Sequence, residues 1–164
     1  MIRFKRLGVV ATVLVALSAL LIGATASTVS AASDCTVFGT SGNDTFIVGP
    51  GQLPTDAIIC GGKGDDTLDD VPFSFVTFSG TFYGGQGNDW MSDLTGGTFQ
   101  GGGGDDGVEF FASGLFDGGR DNDTVEFQIG GTYRGGPGYD VLVLNCAGTQ
   151  LSVENLGDSY HCPY

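Results

Sequence analysis

One nonapeptide rich in glycine and aspartate occurs six times between residues 39 and 143 of this 164-residue chain. The copies begin at residues 39, 61, 84, 101, 118 and 135, so the last four follow a 17-residue period. A short fixed period is typical of solenoids, in which each repeat buries its apolar face against the next. The sixth position of every copy is aspartate: Asp44, Asp66, Asp89, Asp106, Asp123 and Asp140. The repeats therefore predict stacked coils with carboxylates recurring at one place.

These copies resemble the G-G-x-G-x-D-x-U-x repeat of the RTX or hemolysin-type calcium-binding proteins, in which U is a large apolar residue. The copies at 84 and 101 match that pattern fully. Thr40 replaces a glycine of the first copy, Asp121 replaces the fourth-position glycine of the fifth, and Pro137 and Tyr139 stiffen the last. The family usually carries aspartate in both turns of a coil. Here one turn per coil has it, which implies a single calcium-binding edge.

Calcium takes six to eight oxygen ligands, and stacked glycine turns can supply both carboxylates and backbone carbonyls. By the resemblance, each ion lies between adjacent turns, and the chain is expected to bind about three to five calcium ions. Solvated aspartate-glycine turns are the competing interpretation of any single copy. Six copies in phase favour the metal. The resemblance implies that these residues form the sites: Asp44, Gly61, Gly62, Gly64, Asp66, Gly84, Gly85, Gly87, Asp89, Gly101, Gly102, Gly104, Asp106, Gly118, Gly119, Asp121, Asp123, Gly135, Gly136 and Asp140.

The further acidic residues of the repeats are expected to be solvated on outer faces rather than to bind metal. This group contains Asp65, Asp69, Asp105, Glu109 and Glu126.

The expected fold is all-β, a right-handed parallel β-roll or β-helix solenoid of about six coils. The apolar eighth residue of each copy should point inward, facing a second inward ladder of aromatic residues spaced by 17. The first ladder is Phe46, Leu68, Met91, Val108, Val125 and Leu142, and the second is Phe82, Phe99, Phe116 and Tyr133. Insertions after Ile47 and Asp69 are expected to form surface loops or bulges.

The N-terminus predicts a secretory signal peptide over residues 1–32. Three basic residues precede an apolar run from Leu7 to Ala24, and small residues offer cleavage sites between 26 and 32. An uncleaved signal anchor is the alternative. The rest divides into an N-terminal coil and cap (33–60), a calcium-binding β-roll (61–143) and a C-terminal capping segment (144–164).

The predicted mature chain is strongly acidic. It keeps all 19 acidic residues but only Lys63, Arg120 and Arg134 of the basic ones, a net charge of −16. Such a charge repels nucleic acid and anionic lipid. We therefore expect a secreted protein with calcium as its partner, no nucleic acid, and no membrane after cleavage.

The four cysteines favour disulfides over a zinc site in an exported chain. Two lie before the second copy and two after the last, and stacked coils would hold these pairs apart. The expected bridges are Cys35–Cys60 and Cys146–Cys162.

Nothing in the sequence resembles a catalytic constellation, and no enzymatic activity is expected. The favoured function is a secreted calcium-binding β-roll whose folding is coupled to calcium. The alternatives are an adhesion module that contacts a cell surface or polysaccharide, and a stand-alone relative of the calcium-binding modules of secreted enzymes.

Overall fold

The structure is a computed structural model that describes residues 34–71 and 77–156. Within these ranges the chain forms strands and turns, and none of it forms a helix that could span a membrane. The predicted signal peptide falls outside the described residues. The strands are β1 (Val37–Phe38), β2 (Thr45–Val48), β3 (Ile58–Lys63), β4 (Thr67–Asp70), β5 (Thr81–Gln86), β6 (Trp90–Leu94), β7 (Thr98–Gly103), β8 (Gly107–Phe111), β9 (Leu115–Arg120), β10 (Thr124–Gln128), β11 (Thr132–Arg134), β12 (Val141–Asn145), β13 (Thr149–Leu151) and β14 (Asn155–Leu156).

Successive strands alternate between two parallel sheets. The first sheet has the order β1-β3-β5-β7-β9-β11-β13, and the second has the order β14-β12-β10-β8-β6-β4-β2. Every strand therefore pairs with the strand two places along the chain, an arrangement consistent with a parallel β-helix or β-roll. The all-β, parallel architecture expected from the repeats is confirmed.

The register of the sheets places equivalent positions of neighbouring repeats side by side. In the first sheet Phe82 pairs with Phe99, and Phe99 pairs with Phe116. In the second sheet Met91 pairs with Val108, and Val108 pairs with Val125. Residues at the same position of neighbouring repeats therefore stack on one another, and each ladder presents apolar side chains to the interior.

The core lies between the two sheets and consists of the predicted ladders. All six aliphatic or aromatic eighth-position residues are buried, with relative exposures of at most 7%. The four aromatic residues of the first sheet are fully buried and stack ring on ring, with centroids 4.9 to 5.1 Å apart. Offset stacking at this spacing adds to the free energy gained by burial alone. The inward orientation predicted for both ladders is confirmed.

A third inward ladder, at the ends of the second-sheet strands, was not predicted. Leu94 pairs with Phe111, Phe111 with Gln128, and Gln128 with Asn145. The first three are fully buried. Gln128 is stabilised there because its Nε2 donates to the Gly130 carbonyl at 2.9 Å and its Oε1 accepts from Gln150 Nε2 at 3.0 Å. The interior thus turns from apolar to polar toward its C-terminal end.

The insertions contribute to the core as well as to the surface. Ala57, within the first insertion, and Phe78, within the second, are 4% and 3% exposed. The expectation of surface loops is therefore incomplete, because each insertion returns an apolar side chain to the interior before the next strand begins.

The structure joins Cys35 to Cys60 by a disulfide, as predicted. The bridge connects the segment before β1 to β3, its neighbour in the first sheet. Cys146 is also disulfide-bonded. Its predicted partner, Cys162, lies outside the described residues.

Candidate metal edge

The sixth-position aspartates form one ladder along an edge of the stack. Each stands in the turn that leads from a first-sheet strand into the next second-sheet strand. Asp66, Asp89, Asp106, Asp123 and Asp140 are buried, with exposures of at most 2%, whereas Asp44 in the first turn is half-buried. Five carboxyl groups in the interior of a small domain carry a large desolvation cost unless something neutralises them.

One oxygen of each buried carboxyl group is used for stacking. Oδ1 of Asp106 accepts a hydrogen bond of 2.7 Å from the backbone N–H of Asp89, one turn earlier. The same bond recurs between Asp44 and Asp66, Asp66 and Asp89, Asp106 and Asp123, and Asp123 and Asp140, at 2.8 to 2.9 Å. Each carboxyl group therefore bridges the gap between its own turn and the preceding one.

The other oxygen is left without a partner among the described residues. Oδ2 of all five buried aspartates is inaccessible to solvent and accepts no hydrogen bond. Asp44 differs, because its Oδ2 accepts from both the backbone N–H and the hydroxyl of Thr40. The residue that breaks the repeat pattern in the first turn thus satisfies that turn's carboxylate. A buried acceptor oxygen without a donor is destabilising by about 1–3 kcal/mol, and more when it is charged.

The surroundings disfavour the charged form of these carboxyl groups. Burial raises the pKa of Asp106 to about 8 and those of Asp89 and Asp123 to about 7. The N–H donor of the preceding turn opposes the increase, and the neighbouring carboxylates add to it. The pKa values of Asp66 and Asp140 are also raised, chiefly by burial. A proton or a bound cation can relieve this cost, since either one neutralises the carboxylate.

The glycines of the repeat allow neighbouring turns to approach closely, in addition to allowing unusual backbone angles. A Cβ atom on the first glycine of a copy, such as Gly101, would clash with Oδ2 of that copy's own aspartate, here Asp106. A Cβ on Gly102 would lie against the Gly85 carbonyl, and Gly102 has a φ of 116°. The predicted glycines of the other copies stand in the same positions. They let the turns stack closely enough for one carboxyl group to reach the next turn.

The fifth copy shows the cost of replacing a turn glycine. Asp121 occupies the fourth position with a φ of 75°, in the left-handed region that non-glycine residues seldom adopt. It is exposed, and its Oδ2 accepts a hydrogen bond of 3.2 Å from the Gly104 N–H. Asp121 therefore faces the preceding turn from the outside of the edge, away from the buried ladder.

A second polar ladder runs beside the aspartates and was not predicted. It consists of the fifth-position residues Asn43, Asp65, Asn88, Asp105 and Asn122. Each side-chain Oδ1 accepts from the backbone N–H of the fifth-position residue in the following turn, at 2.8 to 3.0 Å. The expectation that Asp65 and Asp105 are merely solvated is therefore incomplete. They are exposed, but they also hold successive turns together.

Glu154, which is itself exposed, continues the hydrogen-bonding pattern of the aspartate ladder by one position. Its Oε2 accepts a hydrogen bond of 2.9 Å from the Asp140 N–H, the bond that an aspartate makes in every earlier turn. Periodicity did not predict it, because Glu154 follows Asp140 by 14 residues rather than 17. The register of the sheet nevertheless pairs Val141 with Asn155, so Glu154 takes the position that an aspartate holds in the earlier turns.

The carboxylates do not converge into a compact cluster. Over residues 34–71 and 77–156, no three side chains of His, Cys, Asp or Glu come together in a group that could hold a metal ion by themselves. The aspartates are arranged in a line, one per turn. Any ion on this edge would take most of its oxygen ligands from the backbone of the turns.

Comparison of the chain with protein-family models, with curated proteins and with solved structures found no match.

Proposed function

We propose that this chain is an exported calcium-binding β-roll of the RTX type, whose folding is coupled to calcium. In this proposal the two parallel sheets form a right-handed roll of about six coils with a 17-residue period in its regular part. The aspartate edge is its metal-binding edge.

The observation that supports this proposal is the in-phase row of unpartnered oxygens. Five successive turns each bury one carboxylate oxygen without a donor. A single such oxygen is a local defect that a folded domain tolerates. Five unpartnered oxygens at the same position of the repeat favour a binding partner that also recurs along the edge. Among the described residues, the protein supplies no such partner.

A hard divalent cation fits this donor set. Calcium accepts carboxylate and carbonyl oxygens in a flexible geometry of high coordination number, whereas magnesium demands a near-ideal octahedron and dehydrates reluctantly. Asp66, Asp89, Asp106, Asp123 and Asp140 would supply the charged oxygens, and the glycine turns would supply carbonyls. The ion would neutralise carboxylates that the fold otherwise holds at raised pKa values.

Export would couple this chemistry to folding. The predicted mature chain has a net charge of −16, which opposes compaction. Calcium is scarce in the cytoplasm and abundant outside the cell, so the chain would stay open before export and close afterwards. An ion that binds only the folded state stabilises that state by its binding free energy.

Isothermal titration of residues 33–164 with calcium tests the proposal. We expect about three to five ions per chain and heats that include folding, with magnesium giving a much weaker response. A stoichiometry below one, or equal responses to both metals, would contradict it. Asp117→Asn on the first sheet is the matched control, because it removes one carboxylate away from the edge and should leave the stoichiometry unchanged.

A further inference from the structure

A groove on the outer face of the second sheet is separate from the aspartate edge. It has a volume of about 520 Å³ and is lined by Glu109, Phe110, Glu126, Phe127, Val143 and Leu144. These residues come from β8, β10 and β12, which lie side by side in the sheet. We call it the Phe127 groove.

The groove exists because the inward-outward alternation shifts near the ends of these strands. In β10 Val125 is buried, Glu126 is exposed, Phe127 is half-buried and Gln128 is buried again. Strand β8 has the same sequence of burial from Val108 onward. Two successive side chains of each strand therefore remain on the outer face, a carboxylate followed by a phenyl ring.

The two phenyl rings form one apolar surface. Phe110 pairs with Phe127 in the sheet, and their rings stack with centroids 5.7 Å apart and planes inclined by 25°. Phe127 also pairs with Leu144, and the adjacent Val143 is 45% exposed. A core ladder has both sheets to cover it, whereas this row of apolar side chains lies on the outside. Contiguous exposed apolar surface of this kind marks interaction sites.

The charges around the groove are of one sign. The second sheet carries Asp69, Asp70, Asp93, Glu109 and Glu126 in its strands and contains no lysine or arginine in its described strands. Burial, together with Asp70, Glu109 and Asp69 nearby, raises the pKa of Asp93, which shows how crowded these carboxylates are.

The basic residues stand elsewhere. Lys63, Arg120 and Arg134 all belong to strands of the first sheet, β3, β9 and β11. The carboxylates beside the two phenyl rings therefore have no counter-charge from their own sheet within the described residues.

We infer that the Phe127 groove binds an extended peptide segment in which pairs of arginine or lysine residues alternate with pairs of apolar residues, so that each face of the segment carries both kinds of side chain. The apolar side chains would cover the stacked phenyl rings and Leu144, and the cationic ones would pair with Glu109 and Glu126. Guanidinium groups also favour the faces of aromatic rings. Charge complementarity of this kind selects a partner and speeds its association.

Other occupants match the groove less well. The predicted mature chain has a net charge of −16, so a second copy would bring more negative charge against the acidic second sheet. A neutral polysaccharide could stack on the rings but would leave the carboxylates without counter-charges. The cationic apolar peptide is the occupant that satisfies both features.

Fluorescence anisotropy with a labelled octapeptide in which pairs of arginines alternate with pairs of leucines tests the inference, in low salt with calcium present. Phe127→Ser should raise the Kd about tenfold, since it removes the central ring. Glu109→Gln combined with Glu126→Gln should raise it about threefold, an effect that added salt abolishes. Asp117→Asn, which removes a carboxylate from the first sheet, should leave the Kd unchanged. Circular dichroism in the same buffer establishes that each variant is folded, so a failure to bind calcium is distinguished from a failure of the groove.

Two control peptides and one hydrodynamic measurement decide between occupants. The same peptide with glutamate in place of arginine should not bind, and the one with serine in place of leucine should bind more weakly. An unchanged Kd for Phe127→Ser, or equal losses for Asp117→Asn and the double glutamine variant, would overturn the inference. So would a dimer in sedimentation that Phe127→Ser dissociates, because the occupant would then be a second copy.

Discussion

At the scale of single residues, the two oxygens of one carboxyl group have separate tasks. Oδ1 of Asp106 satisfies the amide of Asp89, while its Oδ2 remains buried and without a donor. The first oxygen is needed whether or not an ion is present. The second is a cost in the apo protein and a ligand in the proposed calcium form, so the two roles can be separated by substitution.

Asp106→Asn should separate them. The amide oxygen of asparagine can still accept from the Asp89 N–H, but the buried charge is gone. In chelator we expect a folded fraction at neutral pH, read from the β signal in circular dichroism, that is equal to or higher than that of the wild type. In calcium we expect the loss of about one or two ions and a lower melting temperature than the wild type.

Asp44→Asn is the matched control, because Thr40 already satisfies that carboxylate and the residue is half-exposed. It should have a smaller effect in calcium. Equal losses of bound ions in the two variants would mean that the ladder misplaces the sites. Asp106→Ala also leaves the Asp89 N–H without its acceptor, so in calcium it should lower the free energy of unfolding by about 1–3 kcal/mol more than Asp106→Asn does.

The raised pKa values predict a particular pH dependence for the calcium-free chain. Asp106 titrates near 3.8 when unfolded and at about 8 when folded, so the folded state binds the extra proton. The stabilisation is therefore complete below the unfolded pKa and is lost as pH rises through the folded value. In chelator the folded fraction should fall between about pH 6 and 8.5, a range in which exposed carboxyl groups no longer titrate.

Calcium should remove most of this dependence, because the ion replaces the protons. Binding at neutral pH should accordingly release protons, which calorimetry in buffers of different ionisation enthalpy measures. A β signal in chelator that stays constant across this pH range would show that the aspartates are not buried as described.

At the scale of the strand and turn, the fold depends on the closeness of successive turns. Glycine at the first, second and fourth positions removes side chains from the contact, and the two polar ladders use the resulting proximity. The aspartate ladder points back along the chain and the fifth-position ladder points forward. Neighbouring turns are therefore joined by side chains from both sides, in addition to the backbone bonds of the sheets.

Two neighbouring glycines allow a direct test of this closeness. Gly101→Ala should destabilise the protein by at least about 1–3 kcal/mol, because its Cβ would clash with Asp106 and with the Gly118 carbonyl. Gly103→Ala is the control, since its Cβ would meet nothing within 4 Å and its φ is not in the left-handed region. Chemical denaturation in calcium measures both. Equal losses would mean that backbone flexibility, rather than space, governs the turn.

Most of the inward-facing residues of the strands were predictable from the periodicity of the sequence. The inward residues, such as Leu68 and Phe99, recur at fixed positions of the copies, and strand geometry then assigns their faces. The ladder of Leu94, Phe111 and Gln128 was not predicted, because its members differ in size and polarity and therefore form no recognisable repeat in the sequence. The fifth-position ladder was not predicted, because asparagine and aspartate are ordinary residues in turns. Only the three-dimensional stack shows that each side chain lies beside the backbone N–H of the next turn.

At the scale of the whole molecule, the ends of the stack differ from its middle. The Cys35–Cys60 bridge ties the first strand to its neighbour, and at the other end the interior becomes polar at Gln128 and Gln150. A polar last layer does not favour the addition of a further apolar coil. The positions of the cysteines at opposite ends of the predicted stack were enough to predict the pairing at the first end. Spacing could not predict Glu154, whose contribution depends on the path of an irregular final turn.

The cysteines should form two local bridges. Cys35–Cys60 is present, and we expect Cys146 to pair with Cys162, each bridge stabilising its end by about 3 kcal/mol on the loop-entropy account. Peptide mapping under non-reducing conditions identifies the linked fragments. Recovery of a Cys35–Cys146 or Cys60–Cys162 peptide would contradict a stack whose two ends are separate.

The central claim is that the buried aspartates of this acidic chain require calcium for folding. Circular dichroism of residues 33–164 at about pH 8.5 tests it most directly, because this pH lies above the folded-state pKa values of Asp89, Asp106 and Asp123, which are about 7, about 8 and about 7. We expect a largely disordered spectrum in chelator, with residual order near the disulfides, and conversion to a β spectrum with a cooperative melt when calcium is added. An identical spectrum and melting temperature with and without calcium would contradict the account.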